Sequence, residues 1–97
     1  MLLTEKEIIT KLSLLPHWSK KEDKIYRKLV FPSFKKSVQF FNALSLISEE
    51  LNHHPEFFNA YRTCEIWMTT HDLGGITHLD FEFAHRVELW LEINSNV

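Results

Sequence analysis

The sequence predicts an α+β fold, a small and mostly antiparallel sheet covered by helices on one face. Three segments carry apolar residues at the three- and four-residue spacing of a helix face. The stretches between them are rich in aromatic and β-branched residues. The resulting order is helix, strand, strand, helix, strand, strand, helix, in which neighbouring strands pair and the helices need a sheet face to bury their stripes.

The first segment, "TEKEIITKLSLLP", opens with Thr4 and has Glu7 three residues later, the spacing of a capping box. Ile8, Leu12 and Leu15 share one helical face, and Pro16 is expected to end the helix. "HWSKKEDKIYRKLVF" reads as two short strands joined by a polar turn near Glu22 and Asp23, the second running from about Lys24 to Phe31 with Ile25, Leu29 and Phe31 on one side. In "PSFKKSVQFFNALSLISEELNHH" the residues Phe40, Leu44, Ile47 and Leu51 are separated by four, three and four positions, a helical stripe with Ser33 as N-cap. After Pro55, strands are expected near Phe57 to Ala60 and from Arg62 to Thr70, followed by a loop marked by Gly74 and Gly75. "THLDFEFAHRVELWLEIN" closes the series: Thr77 and Asp80 have capping-box spacing, and Phe83, Val87, Trp90 and Leu91 form the core face of the best-patterned helix in the chain.

Length and composition narrow the function. Ninety-seven residues leave room for a single domain, residues 1–97, and eight Phe, three Trp and two Tyr give it enough bulk to close a core. Eleven basic against thirteen acidic residues, with no long run of one sign, argue against a nucleic acid or membrane surface as partner. A lone cysteine, Cys64, cannot form an internal disulfide and suits a reducing compartment. The N-terminal stretch "MLLTEKEIITKL" reads as neither a signal peptide nor a membrane span, so a cytoplasmic location is expected.

The chemistry gathers around "EELNHHPEFF", where His53 and His54 stand directly before Pro55. Proline disfavours helical geometry in the residue before it, so His54 is expected to be extended while His53 still belongs to the last helical turn. Glu49, four residues before His53, would then lie on the same face and orient that ring. His71 begins the glycine loop and Asp80 sits in the first turn of the last helix, so several element ends could converge on one pocket. A bland alternative stands beside this: histidine near a helix C-terminus interacts well with the last carbonyls and can serve only as a cap. A metal site would use the same imidazoles and carboxylates. Against it, the adjacent histidines must diverge and no HxH, HExxH or paired-cysteine pattern is present. Cys64 falls inside a predicted strand and reads as packing rather than as a nucleophile. His17, His78 and His85 read as surface or rim residues.

Taken together, "EELNHHPEFFNAYRTCEIWMTTHDLGGITHLD" resembles the signature of the pterin-4a-carbinolamine dehydratase family, closely from Glu49 to Asp80 and in element order over nearly the whole chain. Glu49, His53, His54, Pro55, Tyr61, His71 and Asp80 occupy the places of that pattern. The resemblance implies a four-stranded antiparallel sheet with three α-helices packed on one face, in the order α-β-β-α-β-β-α, and assembly into homodimers or homotetramers. It implies the loss of water from a 4a-hydroxytetrahydropterin to give the quinonoid dihydropterin, with no metal and no organic cofactor. It assigns His53, His54 and His71 to catalysis, with His53 and His71 as the leading acid/base pair. Glu49, Asp80, Pro55 and Phe57 would bind or orient the substrate, Asp80 by positioning His71 or the pterin. One position departs from the pattern: the residue before the aspartate is commonly basic in the family and is Leu79 here. Relatives in animals also act as dimerisation partners of a transcription factor through a helix face, so a non-enzymatic interaction module is the alternative expectation, testing the Phe41 and Leu44 region.

Overall fold

The computed structural model describes residues 1–94. Its elements follow the expected order: α1 Glu5–Leu12, β1 Ser19–Lys21, β2 Lys24–Val30, α2 Phe34–Leu51, β3 Glu56–Ala60, β4 Thr63–Met68, a 3-10 turn at His71–Leu73, and α3 His78–Ile93.

Local chemistry sets most of the boundaries. The Thr4 and Glu7 side chains cap one another's backbone N–H groups at 3.1 and 2.8 Å and start α1. The helix stops at Leu12, before the expected stop at Pro16, because the amides after Ser13 turn tighter: Leu14 donates to the Lys11 carbonyl and Leu15 to that of Leu12. Leu15 is nevertheless buried in the core. Ser33 caps α2 by accepting the Lys36 N–H. The turns between β1 and β2 and between β3 and β4 each place a side-chain-bearing residue in the left-handed region, Glu22 at φ 57° and Tyr61 at φ 53°. Strand β4 is shorter at both ends than expected, since Arg62 belongs to the turn and Thr69 and Thr70 lead into the 3-10 turn.

The strands form one antiparallel sheet in the order β1-β2-β4-β3. Central pairs such as Ile25 with Met68 and Leu29 with Cys64 put alternate residues of β2 and β4 on the same face. That face meets Ile8 of α1, Phe40, Leu44 and Ile47 of α2, and Phe83, Ala84 and Val87 of α3 in one core. The other face carries Tyr26 and Trp67, with ring centres 5.4 Å apart. Glu88 ties α3 to the rest of the fold: its Oε2 accepts from the Trp18 Nε1–H at 2.8 Å and from the Arg27 Nε–H at 2.9 Å. With α2 crossing from β2 at one sheet position to β3 at the far edge, its C-terminus arrives beside the first turn of α3.

Candidate active site

The two histidines owe their directions to Asn52. Helix α2 ends at Leu51 and Asn52 takes the left-handed conformation, φ 48° and ψ 47°. The His53 N–H returns to the Ser48 carbonyl at 3.0 Å and the Asn52 N–H to that of Glu49 at 3.3 Å, the paired closure of a Schellman motif. His53 therefore lies outside the helix. The expected Glu49–His53 pairing on one helix face does not form, because the left-handed residue between them reverses the chain. Instead His54 Nε2 meets Glu49 Oε2 at 2.6 Å, both side chains exposed, while His53 turns inward and is buried.

His53 Nε2 lies 2.6 Å from Oδ1 of Asp80, which is fully buried. Asp80 is the N3 residue of the α3 capping box, so its Oδ2 also accepts the Thr77 N–H at 2.8 Å, and the Thr70 hydroxyl donates to the same oxygen at 3.0 Å. Two fixed donors and the His53 ring thus converge on one buried carboxylate. A hydrogen on His53 Nε2 would be donated to this carboxylate, leaving Nδ1 as the other ring nitrogen. The family resemblance implies that Asp80 positions His71 or the pterin; its direct partner is His53. The capping-box spacing alone could not show this, since an N3 carboxylate is usually at the surface.

Glu49, His54, Pro55 and Phe57 line one cavity of ≈ 310 Å³ with Phe41, Leu44, Ser45 and Ser48, between the last turns of α2 and strand β3. Phe57 is stacked on Phe41 with ring centres 5.1 Å apart. The cavity is mostly apolar, with Glu49 and His54 as polar groups, the usual make-up of a small-molecule site. Neither His53 nor His71 lines it: His53 is buried against Asp80, and His71 is exposed in the 3-10 turn after Thr70, whose hydroxyl reaches Asp80. Tyr61 stands at the far turn of the β3–β4 hairpin, 69% exposed, where its carbonyl accepts from the buried Ser37 hydroxyl. Leu79 is half-buried in the first turn of α3 and gives its N–H to the Thr77 hydroxyl at 3.2 Å. His17, His78 and His85 are exposed. Cys64 is buried and donates to Asn59 Oδ1 at 2.9 Å, and burial pushes its thiol up to about 11. Among the described residues, no group of three or more His, Cys, Asp or Glu side chains is placed to hold a metal ion, and no helix is long and apolar enough to cross a membrane. A larger cavity of ≈ 370 Å³ at the opposite end, between Arg27, Lys36 and Trp90, contains none of the expected residues. Thr70 and Thr77 are polar partners beyond the expected site residues: Thr77 is signalled by its capping-box spacing to Asp80, and Thr70 only by its place directly before His71.

The family model described as Pterin 4 alpha carbinolamine dehydratase matches residues 1–90. The chain belongs to this family. Among family members it is similar to a protein of Sulfurisphaera tokodaii provisionally named pterin-4-alpha-carbinolamine dehydratase, 41% identical over 86 residues that cover 89% of this chain and 92% of the relative. It is similar also to a Burkholderia cenocepacia protein of the same provisional name, 39% identical over 88 residues, 89% and 86% of the two chains. The crystal structure of a transcriptional coactivator/pterin dehydratase from Brucella melitensis superposes with a TM-score of 0.89 at 34% identity, over 92% of this chain and 97% of that one. A pterin dehydratase-like protein identified as a RuBisCO assembly factor in the alpha-carboxysome shares the fold, with a TM-score of 0.62 at 23% identity over 74% and 83% of the chains. The α+β architecture of the family is thus the architecture of this chain.

Proposed function

We propose that the chain removes water from a 4a-hydroxytetrahydropterin to give the quinonoid dihydropterin, using His53, His54 and His71. The carrying observation is the buried Asp80 carboxylate, whose Oδ1 lies 2.6 Å from His53 Nε2 and fixes the ring in place. In the reaction the C–O bond at the carbinolamine carbon breaks and its electrons leave with the oxygen, which takes up a proton as water. The adjacent ring N–H loses its proton and its electron pair completes the C=N bond. One acid and one base are needed, and imidazole serves both tasks near neutral pH.

His53 and His71 form the acid/base pair. His54, held by Glu49 in the lining of the cavity, contacts the substrate or serves as a second acid, and Phe57 and Pro55 bound the ring. Glu49 thereby acts through His54 and Asp80 through His53. The exposed Glu49–His54 pair adds little stability and serves for orientation. Following the absorbance of freshly generated 4a-hydroxytetrahydropterin at mildly alkaline pH tests this. The protein should speed dehydration, and His53→Ala and His71→Ala should each lower the rate by about 10²–10⁴-fold. No acceleration by folded wild-type protein, or near-wild-type rates for every histidine variant, would refute it.

A second reading, an interaction module, draws on the open flank of α2. Phe34, Val38 and Phe41, spaced by four and three residues, are all partly exposed. The Brucella relative is described as a coactivator as well as a dehydratase. The same stripe suits self-association into the homodimer or homotetramer that the family resemblance implies.

A further inference from the structure

We propose that Thr70 is a positioning residue that fixes His53 and the His71 turn in one mutual geometry. The inference rests on the dehydratase reading for its consequence in rate, and on hydrogen bonding alone for its structural content.

Thr70 works through both its backbone and its side chain. Its N–H donates to the Gly75 carbonyl at 2.8 Å, and its own carbonyl accepts from Leu73 at 3.1 Å and Gly74 at 2.9 Å. The turn that carries His71 is closed on Thr70 at both ends. Its hydroxyl, meanwhile, donates to Asp80 Oδ2 at 3.0 Å and lies 2.7 Å from the Thr77 hydroxyl. A hydroxyl has one hydrogen. With Thr70 donating to Asp80, the Thr77 hydroxyl must donate to Thr70, and Thr77 Oγ1 in turn accepts the Leu79 N–H. The result is a directed chain, Thr77 to Thr70 to Asp80, ending on the carboxylate that holds His53 Nε2. Such chains strengthen link by link in a low-dielectric interior. Catalytic groups need placement to within roughly 0.5 Å, and supporting residues with locked side chains provide it. Thr70 touches both supports, the turn under His71 and the acceptor under His53.

Thr70→Val keeps the β-branched shape and removes the hydrogen bond, and Thr70→Ser restores the hydroxyl. In the dehydration assay Thr70→Val should lower kcat by about 10–100-fold, as loss of an outer partner does for metal-bound histidines, with KM held within about twofold. Thr70→Ser should recover most of the rate. In parallel, a ¹⁵N-histidine correlation spectrum of the wild-type protein should show the His53 Nε2–H resonance, displaced or lost in Thr70→Val and regained in Thr70→Ser. This second readout does not need turnover, so an inactive wild-type protein would refute the dehydratase reading and leave the positioning of His53 to be decided by the spectrum. Should the valine variant not fold, Thr70→Cys, similar in size and a weak donor, carries the same expectations. An unchanged His53 resonance in a folded Thr70→Val or Thr70→Cys variant would overturn the proposal, as would an effect on KM alone, which would mark Thr70 as a substrate contact.

Discussion

Asp80 performs two tasks with two oxygens: Oδ2 caps the amide of Thr77 and Oδ1 receives the His53 ring. Because the carboxylate is buried, each donor it loses leaves an unmet charge, which costs about 1–3 kcal/mol or more in comparable sites. Cys64 shows the opposite use of burial. Desolvation pushes its thiol up to about 11 from 9.0. A raised value means that the folded state favours the neutral thiol. That contribution to stability is complete below pH 9, starts to fall there, and is lost as pH rises through about 11. Native protein at pH 8 should therefore react very slowly with iodoacetamide, and denatured protein should react quickly. Stability between pH 9 and 11 should fall less steeply in Cys64→Ala than in wild type. Equal alkylation rates in the native and denatured states would contradict this.

At the scale of elements, the end of α2 decides where the chemistry sits. Asn52 occupies a left-handed position that costs an ordinary L-residue about 1 kcal/mol and glycine almost nothing. Asn52→Gly should therefore match or exceed wild-type stability. Asn52→Ala should cost about 1 kcal/mol, a melting temperature lower by roughly 4–8 °C for a domain this small. Dehydration should fall with it, since the same residue sends His53 inward and His54 back over Glu49. Calorimetry of the two variants checks the point, and equal melting temperatures would refute it. The sequence marked the stop here by "HHP", and the helix ends two residues before His53. An asparagine directly after the apolar stripe is the legible sign, whereas Pro55 points to a stop at the histidines, two residues later. The three N-caps, Thr4, Ser33 and Thr77, were legible because each depends on neighbours three residues away.

For the whole molecule, the sheet leaves β1 and β3 as edges and α2 with an apolar flank, so the described surface is unfinished in the way that self-associating proteins are. If that flank joins copies, wild-type protein should sediment as a multiple of 11.6 kDa and Phe41→Glu should release monomer by placing a charge within the contact. Wild-type protein already at 11.6 kDa, or a Phe41→Glu variant of unchanged mass, would sink this. In either case the core should hold, because Phe41 stacks at its margin on Phe57 while Phe40 points inward.

The sequence alone determined the order of elements, the capped starts of all three helices, and the apolar residues of the sheet and helix faces. These are set by repeats and hydrogen bonds spanning two to four residues, which a linear chain displays directly. It also carried the spacing from Glu49 to Asp80 by which the family can be recognised. Only the tertiary structure decided which carboxylate serves which histidine. His53 and Asp80 lie 27 residues apart and meet because α2 and α3 pack across the same sheet face. Glu49, four residues from His53, is turned away from it by one backbone conformation at Asn52. Local spacing fixes what a residue can do within its own element, and partners across elements are chosen by packing.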